Sequence, residues 1–120
     1  MAEITLTVQN AAPRTTGVAL TFQALDHATN TYKFANHNGM VRLIFRGATS
    51  AVGSMIIPTQ RTCNEGLDHD VTTAANALDA ATKEVMCGPF DPNFFQDESG
   101  FAFIEKTGTV ANVTVAVVKG

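Results

Sequence analysis

Tryptophan is absent, tyrosine occurs once, and there are only two cysteines in 120 residues. With Tyr32 as its sole Tyr, the chain lacks the amphipathic ring platforms on which sugar-binding surfaces usually rest. One cysteine pair, Cys63 and Cys87, is too sparse for a small secreted disulfide scaffold. The spacing fits no zinc ribbon, and no His lies three or four residues from either Cys. Both are therefore expected as free, small, half-buried apolar side chains. Charge is also scarce. Lys and Arg total 8, Asp and Glu total 11, and the formal net charge is −3. The basic residues are scattered, so the electrostatic footprint of a nucleic-acid binder is missing. No apolar run approaches the roughly 20 residues that span a bilayer, which argues against a membrane protein. The opening MAEITLTVQN has no basic stretch followed by an apolar one, so no secretory leader is expected. With 45% hydrophobic and 16% charged residues, the chain is too apolar for a disordered tail and too weakly charged for a coiled coil. Its length suits one domain over residues 1–120, with a short N-terminal arm.

What the sequence does contain is a two-residue rhythm. Ile4, Leu6 and Val8 alternate with Thr5 and Thr7. Val18, Leu20, Phe22 and Ala24 repeat the pattern and are expected inward. Tyr32 and Phe34 alternate with Thr31, Lys33 and Ala35. Val41, Leu43 and Phe45 alternate with Arg42, Ile44 and Arg46, and Val113, Val115 and Val117 with Thr114 and Ala116. Strict alternation marks a half-buried strand, and Thr, Val, Ile and Phe suit a pleated surface. Turn residues separate the runs. Asn36-His37-Asn38-Gly39 reads as a hairpin, because Asn-Gly supplies the positive φ angles of a tight turn. Gly47 to Gly53, Asp97 to Gly100 and Thr107 to Thr109 read as further turns. Strands spaced by about 8–12 residues predict an all-β fold, an antiparallel β-sandwich of about eight strands. The Ala-rich stretch from Val71 to Lys83 offers Leu78 as its only large apolar residue after Val71. A helix there would have almost no face to bury. It predicts a strand over 71–75, a loop or one short helical turn, and a strand over 82–87.

Candidate chemistry is thin. His27 and His37 fall in polar connections. Asp68-His69-Asp70 is the only local cluster that could hold a metal or exchange protons. In a strand the two carboxylates share one face and the ring takes the other, so a solvated polar stretch is the expected reading. There is no G-x-S-x-G, G-x-x-x-x-G-K-[ST], H-E-x-x-H or G-x-G-x-x-G. No enzyme and no cofactor are expected. The sequon Asn112-Val113-Thr114 lies at a predicted strand and needs a secretory route. The most unusual run is Gly88-Pro89-Phe90-Asp91-Pro92-Asn93-Phe94-Phe95. Two prolines forbid ladder bonds and three rings carry much apolar area. It predicts a corner between sheets with Phe90 plugging the core. If Phe94 and Phe95 are extended they point apart, leaving one of them for a partner.

The strand I-T-L-T-V-Q-N-A, the run V-M-C-G-P-F-D-P-N-F-F-Q-D-E-S-G and the close T-V-A-N-V-T-V-A-V-V-K-G together resemble the small capsid decoration (cement) proteins of tailed phages. The layout resembles that family over nearly the whole length, and its specific part is Gly88 to Gly100. The longer Ala74–Ala81 connection departs from the family's pattern. The resemblance implies a jelly-roll-like sandwich, a major capsid protein as partner, trimers, and a place on the virion surface after assembly in the host cytoplasm. It supplies no catalytic residue. Segments without a firm place in the strands are the expected contacts: Met1, Ala2 and Glu3 of the arm, Pro13 and Arg14 of the following loop, and Phe94 and Phe95 at the corner. Other expectations are a head–tail joining or fibre-base protein on the same fold, and a non-catalytic carbohydrate- or ligand-binding module.

Overall fold

The structure, a computed structural model, describes residues 2–10, 19–26, 29–49, 51, 53–60, 70–74, 76–108 and 112–119. Among them the fold is all-β, with ten strands in two mixed sheets. In chain order the strands are β1 (Ala2–Thr5), β2 (Val8–Asn10), β3 (Gln23–Ala24), β4 (Asn30–Ala35), β5 (Val41–Arg46), β6 (Ser54–Ile57), β7 (Val71–Thr72), β8 (Glu84–Cys87), β9 (Phe101–Thr107) and β10 (Thr114–Lys119). One sheet has the order β1-β4-β9-β6-β7. The other has the order β2-β10-β5-β8, with β3 also on β10. A 3₁₀ turn at His37–Gly39 and a single helical turn, α1 (Pro92–Phe95), are the only helical pieces described.

The alternating runs predict the centre of this arrangement well. β4 buries Tyr32 and Phe34, β5 buries Val41, Leu43 and Phe45, and β10 buries Val115 and Val117. These residues, with Met55, Ile57, Ala102 and Ile104 from β6 and β9, form one buried cluster fed by both sheets. The Ala-rich stretch is also as expected: β7 leads into turns, Leu78 is fully buried, and β8 follows.

Four expectations change. Ten strands are described where about eight were expected, and one of the additions arises because the first run is cut in two. β1 pairs with β4, and β2 pairs with β10 in the other sheet. The crossing is at Leu6, which is buried and donates its N–H to the Lys33 carbonyl at 2.8 Å. Both of these pairings are parallel, so the sheets are mixed and not antiparallel throughout. Asn36–Gly39 is not a hairpin. β4 and β5 lie in different sheets, and the turn carries the chain between them. A two-residue hairpin loop needs two left-handed residues; here His37, Asn38 and Gly39 are all left-handed, with φ of 47°, 55° and 85°, and the extra rotation takes β5 away from β4. Finally, the second run does not keep its alternation, and Val18 lies outside the described residues. Leu20 and Ala24 are exposed, and Phe22 lies beneath the Arg46 guanidinium at 3.9 Å, while Leu25 is the buried residue. A run that keeps only two residues of strand does not hold its alternation over eight positions.

Two sets of side-chain bonds fix the ends of the fold. Gln23 and Gln9 act as rungs between the β2 and β3 segments, which share β10: the Gln23 amide bonds both the N–H and the carbonyl of Thr7, each at 2.9 Å. Gln9 does the same for Thr21, accepting from its N–H at 2.7 Å and donating to its carbonyl at 2.5 Å. At the other end, Asn36 is fully buried and donates to the Phe90 carbonyl and to Gln96 Oε1, each at 3.1 Å. Phe90 is 1% exposed, 5.8 Å from the Phe34 ring and 5.5 Å from the Phe95 ring. This is the plugged corner the sequence predicts.

Two outcomes check this. Phe90→Ala should cost about 3–5 kcal/mol in urea unfolding, because it empties the middle of a ring cluster. Asn36→Ala should cost about 1–3 kcal/mol, because buried acceptors lose their donor.

Candidate functional site

The four described members of the predicted contact set lie in two separate places. Met1, Pro13 and Arg14 lie outside the described residues. Ala2 and Glu3 sit on β1, beside Asn30 and Thr31 at the start of β4. The Glu3 carboxylate is held 2.8 Å from Lys33 Nζ. Phe94 and Phe95 belong to the corner beyond the other end of β4. There the chain is not extended but makes one helical turn. Asp91 caps it by accepting from the Asn93 N–H at 2.8 Å, and Pro92 takes the first helical position, where no N–H is needed. Helical geometry does not set neighbouring rings on opposite sides as a strand does. Phe95 packs into the core at 8% exposure, and Phe94 is half-buried against it. The Phe94 carbonyl also accepts from the Gln60 N–H at 2.6 Å. Of the two rings, Phe95 is thus the inner one, and only Phe94 keeps a partial surface.

Of the acid–base cluster only Asp70 is described. Asp68 and His69 lie outside the described residues, as do His27 and Cys63. Asp70 is engaged structurally: its Oδ1 accepts from the Thr59 N–H at 2.8 Å and the Thr59 hydroxyl at 3.1 Å. His37 is exposed in its left-handed turn. Among the described residues no three His, Cys, Asp or Glu side chains approach closely enough to hold a metal. No described helix is long and apolar enough to cross a membrane.

Two surfaces that the sequence reading missed are better formed. The first is an open depression of about 450 Å³ over β1, β4 and β9, lined by Phe103 with Glu3, Thr31, Glu105 and Lys106. Next to it, Lys33 lies 4.5 Å from the centre of the Phe101 ring. The signal was the outward set of the β9 run, Phe101 and Phe103. The second surface is the outer face of β8 and β5. Met86 is 66% exposed there, in register with Ile44. Beside them Arg46 bonds Glu84 at 2.9 Å. Met86 has no alternation signal of its own, because a polar-looking edge strand can carry an apolar residue on its solvent face. The chain matches no family model, no curated protein and no solved structure.

Cys87, on the inner side of β8, is a free thiol 7% exposed, and burial pushes its pKa above the ordinary value of 9.0. A thiol so placed is protonated near neutral pH and is not a nucleophile. The native chain keeps a proton that the unfolded chain loses once pH passes that ordinary value. Stability is therefore expected to fall as pH rises above about 9. Urea midpoints across pH 8 to 10.5 check this, and Cys87→Ala should decline less steeply than the parent chain.

Proposed function

We propose that this chain is a structural virion protein that binds the outer surface of a bacteriophage capsid. The observation that carries the reading is the corner. Gly88 to Gly100, the run on which the resemblance to decoration proteins is most specific, is also the knot of the fold, with Phe90 at its centre and Asn36 bonded across it. In this reading the two sheets form a jelly-roll-like sandwich whose outside, and not a pocket, performs the function. The partner is the major capsid protein, met hundreds of times on one shell, so that weak contacts sum through avidity. The arm with Ala2 and Glu3 and the half-buried Phe94 are candidate contacts. Assembly takes place in the host cytoplasm, and the mature location is the capsid surface.

A glycan-binding module is the second reading, favoured by the depression around Phe103 with its bordering carboxylates. The two readings part in one pair of measurements. Co-sedimentation with phage shells lacking this protein should show saturable binding, at hundreds of copies per particle. Absence of binding to both compact and expanded shells would overturn the capsid reading, and about a dozen copies would point to a neck or tail component. Hits on a glycan array that are lost in Phe103→Ala would favour the module.

A further inference from the structure

We propose that the open edge of β8 pairs with the same edge of a second copy of this chain, about a twofold axis at Met86. The backbone sets which groups are available. The Gly47 N–H donates to the Lys83 carbonyl at 2.9 Å, and β5 pairs with β8 in antiparallel register through Phe45↔Val85 and Leu43↔Cys87. Alternation along an antiparallel ladder then turns the backbone groups of Glu84 and Met86 away from β5. No described residue pairs with them, since β8 ends its sheet. A free row of donors and acceptors of this kind is a template for another strand.

The side chains choose both the partner and the register. On the face of β8 away from the core, Met86 and Ile44, with the fully buried Ala116 beyond them, form one cross-strand row. The row on one side is Glu84, Arg46 and Thr114. The row on the other side is Arg42 and Val118; Gly88, with φ of 106°, follows directly on the end of β8, and a Cβ added to it would meet the Arg42 Cα at 3.2 Å. Three twofold registers engage both Glu84 and Met86. Centring on Glu84 sets like charges opposite each other, which is destabilising. Centring on Val85 sets each carboxylate against a methionine. Centring on Met86 joins the two methionines and makes the apolar row continuous across both copies. It also brings Glu84 beside the partner copy's Gly88, one strand away from Arg42, a span that the two long side chains can bridge. Arg42 makes no ion pair among the described residues, and Arg46 bonds Glu84 through Oε2, so Oε1 is the oxygen that supplies the counter-charge of Arg42 across the axis.

The occupant is a second copy because the edge is self-complementary. One four-residue strand and its neighbour supply the acid, the base and the apolar contact for both halves, as an isologous interface requires. The inner face agrees, with Val85 set opposite the other copy's cysteine in apolar surroundings. The result is a continuous sheet through two copies. It is twofold, unlike the trimer that the resemblance to decoration proteins implies, and it does not depend on the capsid reading.

Sedimentation equilibrium of the full chain, without shells, tests it. The expected mass is about twice 12.7 kDa. Met86→Lys, which opposes two cations on the axis, should raise the dissociation constant about 100-fold or more. Its circular dichroism should match the parent chain, because the side chain is exposed. Arg42→Glu should weaken the dimer about tenfold. In a Cys63→Ser background, Met86→Cys should form a disulfide-linked dimer on mild oxidation, since a hydrogen-bonded antiparallel pair sets Cα atoms about 5.5 Å apart. Glu84→Cys in the same background should not. A monomer at every concentration, a trimer, or a dimer unmoved by Met86→Lys with no Met86→Cys cross-link would each overturn the proposal.

Discussion

The amide of Asn36 bridges the two halves of this fold. It leaves β4 at the point where the chain must pass to the other sheet, and its side chain reaches 54 residues along the sequence to the Phe90 carbonyl. Gln96 accepts its second proton. Asn36 is fully buried and its own Oδ1 has no hydrogen-bond partner among the described residues, while both amide protons are donated. Around this amide the corner takes its shape. Gly39 has φ of 85°, and a side chain there would press on the Phe90 carbonyl at 2.9 Å. The intersheet turn and the Gly88–Gln96 segment are therefore seated against each other backbone to backbone, with the Phe34, Phe90 and Phe95 rings closing the core beneath.

At the opposite side of the molecule a different device does similar work. The N-terminal run serves both sheets, and between β1 and β2 it has no strand partner for Thr7. Gln23 fills the gap with an amide that copies a peptide group, donating and accepting at the same residue. Gln9 returns the arrangement on Thr21. These reciprocal rungs explain how β3 can be only two residues long and still be placed. They also explain why β10 can carry two short partners along one side: β3 on its first half and β2 on its second.

The surfaces follow from the same economy of strands. Because β4, β9, β5 and β10 hold the core, β1 and β8 are left at sheet ends. The four residues of β1 are all exposed and are tied by backbone bonds and the Glu3–Lys33 pair. β8 is anchored from inside by Val85 and Cys87 and presents Met86 outward. The one described cysteine is neutral and buried, and Asp70 is committed to Thr59. The edge of β8 is where unpaired backbone, charge and exposed apolar area coincide among the described residues.

The sequence alone determined the class of structure and its central strands. Period-two alternation depends on local geometry, so Tyr32 and Phe34, Val41 to Phe45 and Val115 to Val117 could be assigned inward before any pairing was known. Phe90 was legible for the same kind of reason: Gly-Pro and Asp-Pro fix a corner, and a ring after it has little room except inward. Partners were not legible. A strand that alternates looks the same whether its neighbour is the next strand or one seventy residues away, which is why Asn36–Gly39 read as a hairpin and became a crossing. Likewise Phe94 and Phe95 could be placed only once the capped turn at Asp91 replaced an extended path. Which edge stays open, and that Met86 stands on it with Arg42 and Glu84 in flanking rows, was decided by tertiary structure, because register across strands is a property of the whole sheet and not of any segment in it.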